Sequence, residues 1–459
     1  MRRWQLDLCL PATPPPLPRV LPALHTVGMP KKHQPTISRR LPDGSQIEMV
    51  FSERRQATAL VHHKDGAATT KKTLTLPDGT TLAPYSPRNN LLTHGVVLFA
   101  ERPAPYVDEM TLAGRIHAFI HRYVDISEAF EAITTHYILL TWLYDDFNDL
   151  PYLRVRGDYG SGKSRFLLTV GALCYKPIFA SGASTTSPLF RLLDSVRGTL
   201  VIDEGDFRVS DEKAEIVKIL NNGTTRGFPV LRSESTPQKE FNPRAFHVFG
   251  PKVVATRKLF DDRALESRCI TEDMDGRRVR NDIPLNLPDS FEDEARELRN
   301  QLLQYRFDHL GREHQLGQHA ERALTPRLAQ LYAPLLSLAT SEAARQAMRE
   351  RARGACRTLA GDRALSVEAD VLGAIAKLRR ATDTLALKDL AAIITTAGTY
   401  GEVSSRWVGA VLRKQLGIVP VKSSGTFVIA KHDLPRLEHL LSKYELVDFG
   451  DNREQDSLL

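Results

Sequence analysis

The most constraining feature of this chain is the stretch GDYGSGKS at residues 157–164, which fits the pattern GxxxxGK[ST] of a phosphate-binding loop. A strand-like run, Tyr152–Arg156, precedes it, and an apolar helical pattern over residues 164–175 follows, which is the context that such a loop requires. The glycines let backbone N–H groups turn toward phosphate oxygens, and the helix start adds a favourable dipole. The sequence therefore predicts a nucleotide site formed by the eight loop residues Gly157, Asp158, Tyr159, Gly160, Ser161, Gly162, Lys163 and Ser164.

Four side chains are expected to act on the phosphates, the metal ion and the attacking water. Lys163 would reach the β- and γ-phosphates, and the Ser164 hydroxyl would bind Mg²⁺. Residues 199–204, TLVIDE, describe a buried parallel strand that ends in two carboxylates at the edge where α/β sheets bind ligands. Asp203 is the predicted second Mg²⁺ ligand. Glu204 is the predicted general base for the attacking water, a role worth roughly 10²–10⁴ in rate, and its presence favours ATP hydrolysis over a small-molecule kinase.

A third strand-like run, Lys252–Thr256, is β-branched and ends in a hydroxyl. In the same sheet, that hydroxyl would lie near the attacking water, which makes Thr256 a candidate catalytic residue. The alternative is that Thr256 is only the last residue of a strand.

Composition excludes several classes of protein. The formal net charge is +7, which is compatible with a polyanionic partner but does not demonstrate one. The four cysteines, Cys9, Cys174, Cys269 and Cys356, form no Cys-x-x-Cys pair, which argues against a zinc site or disulfide framework and fits a cytoplasmic protein. No uncharged run is long enough to span a bilayer, so we expect no membrane association.

The patterning predicts a multidomain α/β protein. Two Pro-Asp-Gly turns, at residues 42–44 and 77–79, indicate β-hairpins, and apolar residues from Leu112 to Tyr123 recur with helical spacing. Nothing in residues 1–28 predicts packed structure, and Met29 is an alternative start. The predicted segments are a basic, proline-rich disordered tail (1–34), a β-rich N-terminal domain (35–105), a helical segment (106–150), an α/β core with a parallel sheet (151–285), a helical region (286–382), a winged-helix domain (383–447) and a flexible tail (448–459).

The motifs GDYGSGKS, TLVIDE, KVVAT and ALESRCI, in that order over roughly residues 150–270, resemble an AAA+ ATPase core. The Ser-Arg of ALESRCI resembles the arginine-finger segment of the mini-chromosome maintenance helicases, although Cys269 replaces the usual aromatic residue. The whole pattern is similar to replicative-helicase-like ATPases of mobile genetic elements, including the self-loading helicases of staphylococcal cassette chromosomes.

This resemblance implies a role for Arg268. It would project into the nucleotide site of a neighbouring subunit and neutralise charge on the γ-phosphate, so hydrolysis would require a homo-oligomer, expected to be a hexameric ring. The alternative is a surface salt bridge with Glu266 or another acidic neighbour. The helical region would be the AAA+ lid, in which Arg296 or Arg299 could contact nucleotide, but a solvent-exposed position is expected for both.

Two segments are candidates for DNA contact. The resemblance implies a hairpin before the KVVAT strand, where Arg232, Lys239 and Arg244 would meet phosphates, and the alternative is a plain surface hairpin. In the predicted winged helix, Arg406, Arg413 and Lys414 face away from the core on the second helix, which could enter a major groove. Winged helices also make protein contacts.

These observations together predict an oligomeric ATPase that uses ATP and Mg²⁺ to translocate on or unwind DNA, of the replicative-helicase type. The alternative is an AAA+ remodeller or a transposition or defence regulator that assembles on DNA or protein without unwinding. A monomeric P-loop kinase or nucleotide-binding module is disfavoured by Glu204 and Arg268.

Overall fold

A computed structural model describes residues 33–182, 184–203, 211–232, 243–275, 279–319, 321, 324–364 and 366–444 of the chain. The predicted C-terminal tail, most of the predicted N-terminal tail, Glu204 and Lys239 lie outside these residues. Within the described ranges, no helix combines the length and apolar character needed to cross a membrane.

The described part of the chain begins with seven short strands: β1 (His33–Pro35), β2 (Ser38–Arg40), β3 (Gln46–Ser52), β4 (Ala57–Lys64), β5 (Ala67–Lys71), β6 (Leu74–Thr75) and β7 (Thr81–Ala83). One sheet has the order β2-β3-β4-β5 and the other β1-β7-β6. The Pro-Asp-Gly turns join the antiparallel pairs β2–β3 and β6–β7. Gly44 and Gly79 both have φ of +82° in these turns, a conformation that glycine adopts without steric cost.

These strands share a hydrophobic core with the rest of the protein. Ile47, Leu60 and Leu82 are fully buried and belong to the same cluster as Tyr152 and Leu200 of the central sheet. The β-rich segment therefore packs against the α/β core, and its status as an independent domain over residues 35–105 stays a prediction.

Three helices follow: α1 (Asn90–Thr93), α2 (Glu109–Tyr123) and α3 (Glu128–Leu143). Asp108 caps α2, because its Oδ1 accepts a hydrogen bond from the Thr111 N–H at 2.6 Å. The face of α2 predicted from the apolar spacing, from Leu112 to Tyr123, is buried. Helix α3 is buried on nearly all sides because it contacts α2 and helices from the second half of the chain.

The centre of the protein is a five-stranded parallel sheet. Its region contains β8 (Tyr152–Arg156), α4 (Lys163–Gly171), β9 (Ile178–Ser181), α5 (Thr186–Val196), β10 (Leu200–Asp203), α6 (Asp211–Asn222), β11 (Val230–Arg232), β12 (Arg244–Phe246), β13 (Lys252–Thr256), α7 (Arg263–Glu266) and β14 (Cys269–Asp273). The strand order is β14-β8-β13-β10-β9, and every pair is parallel. The two short strands β11 and β12 pair antiparallel outside this sheet. The parallel order brings the carboxyl ends of β8, β13 and β10 to one edge.

Helices dominate the remainder: α8 (Ser290–His309), α9 (Leu316–His319), α10 (Pro326–Ser337), α11 (Glu342–Ala364), α12 (Val367–Ala381), α13 (Leu387–Ala397), α14 (Ser405–Val411), a π-helical continuation (Leu412–Leu416), the hairpin strands β15 (Val421–Ser423) and β16 (Thr426–Val428), and α15 (Leu434–Lys443). Helices α8, α10 and α11 contribute to the same hydrophobic cluster as α2 and α3. The last two helices before the hairpin, the hairpin and α15 follow the predicted helix–turn–helix–hairpin layout, and a winged-helix function stays a prediction.

One expectation about α8 is wrong. Arg299 is only 8% exposed, whereas a solvent-exposed position was expected. Its guanidinium donates to the carbonyl oxygens of Ala172 at 2.7 Å and Phe99 at 3.4 Å. Burial lowers the pKa of Arg299 to about 10. Arg299 therefore joins α8 to the core and does not face solvent.

Candidate functional site

The phosphate-binding loop is built as its motif predicts. Gly160 and Gly162 have φ of +75° and +91°, conformations that other residues rarely adopt. At Gly157, a Cβ atom would lie 2.6 Å from Ser161 Oγ and 2.8 Å from Asp275 Oδ1, so a larger residue there would displace these two side chains. Helix α4 begins at Lys163, which directs its N-terminal N–H groups toward the loop.

Lys163 contacts the backbone of this loop. Its Nζ donates to the carbonyl oxygens of Gly157 at 2.7 Å and Asp158 at 2.6 Å. A phosphate bound in the loop would compete with these carbonyls for the ammonium group. Ligands that carry more negative charge bind an ammonium more strongly, so the arrangement fits a phosphate site.

Ser164 and Asp203 meet across the sheet edge. Ser164 Oγ donates to Asp203 Oδ2 at 2.8 Å, although Asp203 ends β10 and is separated from β8 by β13. A hydroxyl and a carboxylate are oxygen ligands of the kind that Mg²⁺ prefers, and Mg²⁺ usually takes few protein ligands because it keeps waters and substrate phosphates. The pair fits a Mg²⁺–nucleotide site.

Thr256 ends the strand that lies between the strand before the phosphate loop and the strand that ends in Asp203. It ends β13, which pairs with β8 on one side and with β10 on the other, and its backbone carbonyl accepts from the Gly157 N–H at 3.2 Å. The side chain is 1% exposed, and its Oγ1 has no hydrogen-bond partner among the described residues. A buried, unsatisfied hydroxyl is costly unless a ligand or water completes it. The structure thus places Thr256 at the same sheet edge as the phosphate loop and Asp203, and a role near the attacking water stays a prediction.

A cavity of about 250 Å³ adjoins the phosphate loop. It is lined by Tyr123, Val124, Asp125, Tyr159, Gly160, Ser161, Gly162, Arg165, Met274, Asp275, Val279 and Ile283. Asp275 Oδ1 also accepts from the Asp158 N–H at 2.6 Å, which fixes the start of the loop. The loop motif predicted only one wall of this cavity, because the other walls come from two segments, around Val124 and Met274, that lie far from the loop in the chain.

Arg268 lies at the opposite end of the sheet from this site. It immediately precedes β14, and its carbonyl accepts from the Tyr152 N–H at 2.9 Å, at the start of β8. The phosphate loop begins five residues later, roughly 16 Å along the strand at 3.3 Å per residue. Arg268 therefore cannot contact a γ-phosphate bound to its own phosphate loop.

The side chain of Arg268 is half-buried and held by neutral groups. Its Nε donates to Thr224 Oγ1 at 3.2 Å and its Nη1 to Asn221 Oδ1 at 3.1 Å. Among the described residues, no carboxylate lies within ion-pair distance of it. The alternative of a salt bridge with Glu266 is wrong, because Glu266 pairs with Arg154 instead.

Sequence reasoning missed Arg327. This residue is near Arg268, and burial together with repulsion from Arg268 lowers the pKa of Arg327. Its Nη2 is buried and has no hydrogen-bond partner in the described ranges. A signal was present in the sequence: Thr325 and Pro326 mark a helix start, so Arg327 lies in the first turn of α10, where the helix dipole disfavours a cation.

The predicted DNA-contact residues lie outside this site. Arg232 pairs with Glu215 at 2.8 Å and Arg244 with Asp194 at 3.7 Å. The Arg232 guanidinium also lies over the ring of Phe190. Phosphate contact by these two arginines would have to compete with the carboxylates, and their role stays a prediction. Arg406, Arg413 and Lys414, which were predicted to face away from the core, are exposed on α14 and its continuation.

No family model matches the sequence, and no curated protein matches it. Similar solved structures include the SCCmec type IV Cch active helicase, with 11% identity and a TM-score of 0.38 over 90% of this chain and 82% of that one. They include the C-terminal region of NrS-1, with 11% identity and a TM-score of 0.34 over 84% of this chain and 96% of that one. They also include Cdc6p from Pyrobaculum aerophilum, with 12% identity and a TM-score of 0.20 over 74% of this chain and 98% of that one.

The sequence motifs predicted a similarity to the helicases of staphylococcal cassette chromosomes, and an SCCmec helicase is among these solved structures. The protein has a mixed α/β fold with a five-stranded parallel sheet, and the assignment of this sheet to an AAA+ core stays a prediction. Because every TM-score is below 0.5, these similarities carry no argument about activity, which depends on the geometry of this chain's own residues.

Proposed function

We propose that this chain is an oligomeric ATPase that hydrolyses ATP at interfaces between its copies and uses the energy to move along or unwind DNA. One observation carries the proposal. The phosphate cradle with its Mg²⁺-binding pair, Ser164 and Asp203, lies at one edge of the sheet, and the candidate finger Arg268 lies at the other. A second copy brings the two together.

Each residue of the cradle has a separate task. The loop N–H groups and Lys163 would bind the β- and γ-phosphates, and Ser164 and Asp203 would hold Mg²⁺. The metal ion, when bound, neutralises charge that develops on the phosphate oxygens. Thr256 would hydrogen-bond the attacking water, and Glu204 would accept its proton.

The neighbouring copy would supply the missing cation. Arginine fingers contribute about 10³–10⁵ in rate, so Arg268→Ala should leave ATP binding intact and greatly reduce turnover. Arg327 is a second cation near Arg268, since burial and, to a smaller extent, repulsion from Arg268 lower the pKa of Arg327. Two cations held close together are suited to meeting the charge of a triphosphate. A closed ring, expected to be hexameric, satisfies every such interface at once.

DNA is the proposed substrate along which this ATPase moves. The net charge of +7 and the exposed Arg406, Arg413 and Lys414 suit a polyanion. One observation supports the alternative of an AAA+ remodeller or regulator that does not unwind: Arg232 and Arg244 on the hairpin arms are paired with carboxylates. Strand displacement on forked DNA, which only the motor should show, separates the two.

A subunit-mixing experiment tests the shared site. Arg268→Ala protein keeps an intact cradle, and Glu204→Gln protein keeps an intact finger but cannot hydrolyse ATP. If Arg268 acts between copies, the mixture regains hydrolysis that neither protein shows alone. Absence of recovery at every mixing ratio would overturn the proposal. ATPase rates with and without single-stranded DNA, together with the mass of the ATP-bound assembly, then test DNA coupling and ring formation.

A further inference from the structure

A completely buried guanidinium connects the central sheet to the segment that carries Arg268. Arg154, on β8, is 0% exposed. Its Nη1 donates to Glu266 Oε2 at 2.7 Å, its Nη2 donates to Glu266 Oε1, and its Nε donates to Thr271 Oγ1 at 3.0 Å. The guanidinium also lies 4.9 Å from the centre of the Phe260 ring. All these contacts are with the stretch of chain that surrounds Arg268.

Glu266, the ion-pair partner of Arg154, contacts both ends of this stretch. It ends α7, two residues before Arg268, and its Oε2 also accepts from the Phe260 N–H at 3.0 Å. A single carboxylate thus joins both ends of residues 260–266 to β8. Helix α7 has only four residues, and a helix of that length has no stability of its own in water. Its position therefore depends on such tertiary contacts.

A second contact holds the opposite side of the segment. Asn221, near the end of α6, donates to Asp262 Oδ2 at 2.6 Å and accepts from Arg268 Nη1 at 3.1 Å. Asp262 also caps α7 by accepting from the Ala264 N–H at 2.8 Å. Arg268 is consequently held between α6 and the Arg154–Glu266 pair.

Stability does not explain why an ion pair occupies this position. Apolar residues of similar size would fill the space without the desolvation cost of burying a charge. A two-point pairing between a guanidinium and a carboxylate adds directional specificity, because its two parallel hydrogen bonds fix the relative orientation of both groups. Arg154 also lies on β8, which ends at Arg156, immediately before Gly157 of the phosphate loop.

We propose that Arg154 and Glu266 are positioning residues that orient Arg268 toward the nucleotide of the neighbouring copy. This inference rests on the proposed function, in which Arg268 acts between copies. A misplacement of about 1 Å can cost about 100-fold in rate, so loss of the pair should impair a subunit as the donor of the finger. It should leave the same subunit competent as the acceptor, because the cradle lies at the other edge of the sheet.

The mixing experiment distinguishes donor from acceptor. In the reference mixture, Glu204→Gln protein donates the finger and Arg268→Ala protein accepts it. Adding Glu266→Gln to the donor should reduce the recovered hydrolysis by about 10- to 100-fold. Adding Glu266→Gln to the acceptor should leave recovery within about twofold of the reference, which corresponds to no appreciable change in transition-state stabilisation.

The chain offers a matched control. Asp273 accepts two hydrogen bonds from Arg156, at 2.5 and 2.6 Å, so this pair also joins β14 to an arginine of β8 but lies away from α7. Asp273→Asn in the donor should leave recovery unchanged. Because Glu266→Gln leaves a buried guanidinium without its counter-charge, a second donor carries Arg154→Met and Glu266→Leu together, which removes both charges. The same donor-specific loss is expected.

The outcomes are separable. Equal loss in donor and acceptor would indicate general damage to the fold and would overturn the positioning role, as would full recovery with every Glu266 variant. Loss with Asp273→Asn in the donor would show that any β8 ion pair has this effect and would also overturn it. Failure of the reference mixture, which contains no Glu266 substitution, would instead overturn the shared site itself and this inference with it.

Discussion

The hydroxyl of Ser164 lies 2.8 Å from Asp203 Oδ2, although 39 positions separate the two residues in the chain. The contact joins the first turn of α4 to the last residue of β10. It exists because β8, β13 and β10 are parallel and end at one edge of the sheet. This pair is the basis for expecting Mg²⁺-dependent hydrolysis.

Removing the hydroxyl should impair use of the metal ion. Ser164→Ala is expected to lower kcat by about 100-fold and to shift the Mg²⁺ requirement upward, because a bound metal ion supplies several kcal/mol of transition-state stabilisation. ATPase rates measured over a Mg²⁺ titration test this. Ser195→Ala, an exposed serine of α5, is the control. An unchanged rate and Mg²⁺ dependence in Ser164→Ala would contradict the metal site.

Lys163 should determine ATP affinity. Lys163→Ala is expected to weaken ATP binding by about 100-fold, since hydrogen bonds to charged groups contribute roughly 1.5–3 kcal/mol each. Titration calorimetry measures the affinity, and Lys258→Ala, an exposed lysine beyond β13, controls for the loss of one positive charge. Equal affinities in the wild type and Lys163→Ala would refute the phosphate site.

Arg327 is expected to lower the free energy of unfolding and to raise the ATPase rate. Its Nη2 is buried without a described partner, and burial and Arg268 both lower its pKa. An unsatisfied buried donor costs about 1–3 kcal/mol. Arg327→Met should therefore leave the free energy of unfolding unchanged or raise it by up to about 2 kcal/mol, while the ATPase rate of the assembled protein falls. Urea unfolding and ATPase assays on the same samples test both parts. The exposed Arg312→Met is the control, and a large loss of stability in Arg327→Met would contradict the prediction.

His117 should make stability depend on pH. A hydrogen bond to Glu131 raises the pKa of His117, against the opposing effect of burial. A histidine whose pKa is raised on folding stabilises the folded state fully below its unfolded pKa of about 6.5, and this contribution is lost as the pH rises through the folded pKa. The Tm of the wild type should therefore exceed that of His117→Gln by more at about pH 5.5 than at about pH 8.5.

Because His117 is partly exposed, solvent screening limits the effect to about 1 kcal/mol or less. Thermal unfolding at both pH values measures it. The difference in Tm between the two proteins should shrink as the pH rises, and a difference that grows instead would show that the Glu131 contact does not raise the pKa. His432→Gln, on an exposed histidine, controls for general effects of pH.

The sequence alone predicted the local geometry of the candidate phosphate site. GDYGSGKS encodes its loop locally, since glycines at residues 160 and 162 adopt left-handed conformations that the motif requires. The apolar runs that end in Asp203 and Thr256 predicted parallel strands. Parallel strands deliver their ends to one edge, so the meeting of these residues with the loop followed from pattern and order alone.

Only the tertiary structure decided which residues far apart in the chain contact one another and which become buried. Contacts between separate elements bury Thr256, which is 1% exposed, and Arg299. Such contacts also pair Glu266 with Arg154 and bring Arg327 near Arg268. Spacing along the chain reports which face a residue occupies on its own helix or strand, but not which side chain it meets across the core. Local conformation is set by neighbours in sequence, whereas burial and charge pairing are set by neighbours in space.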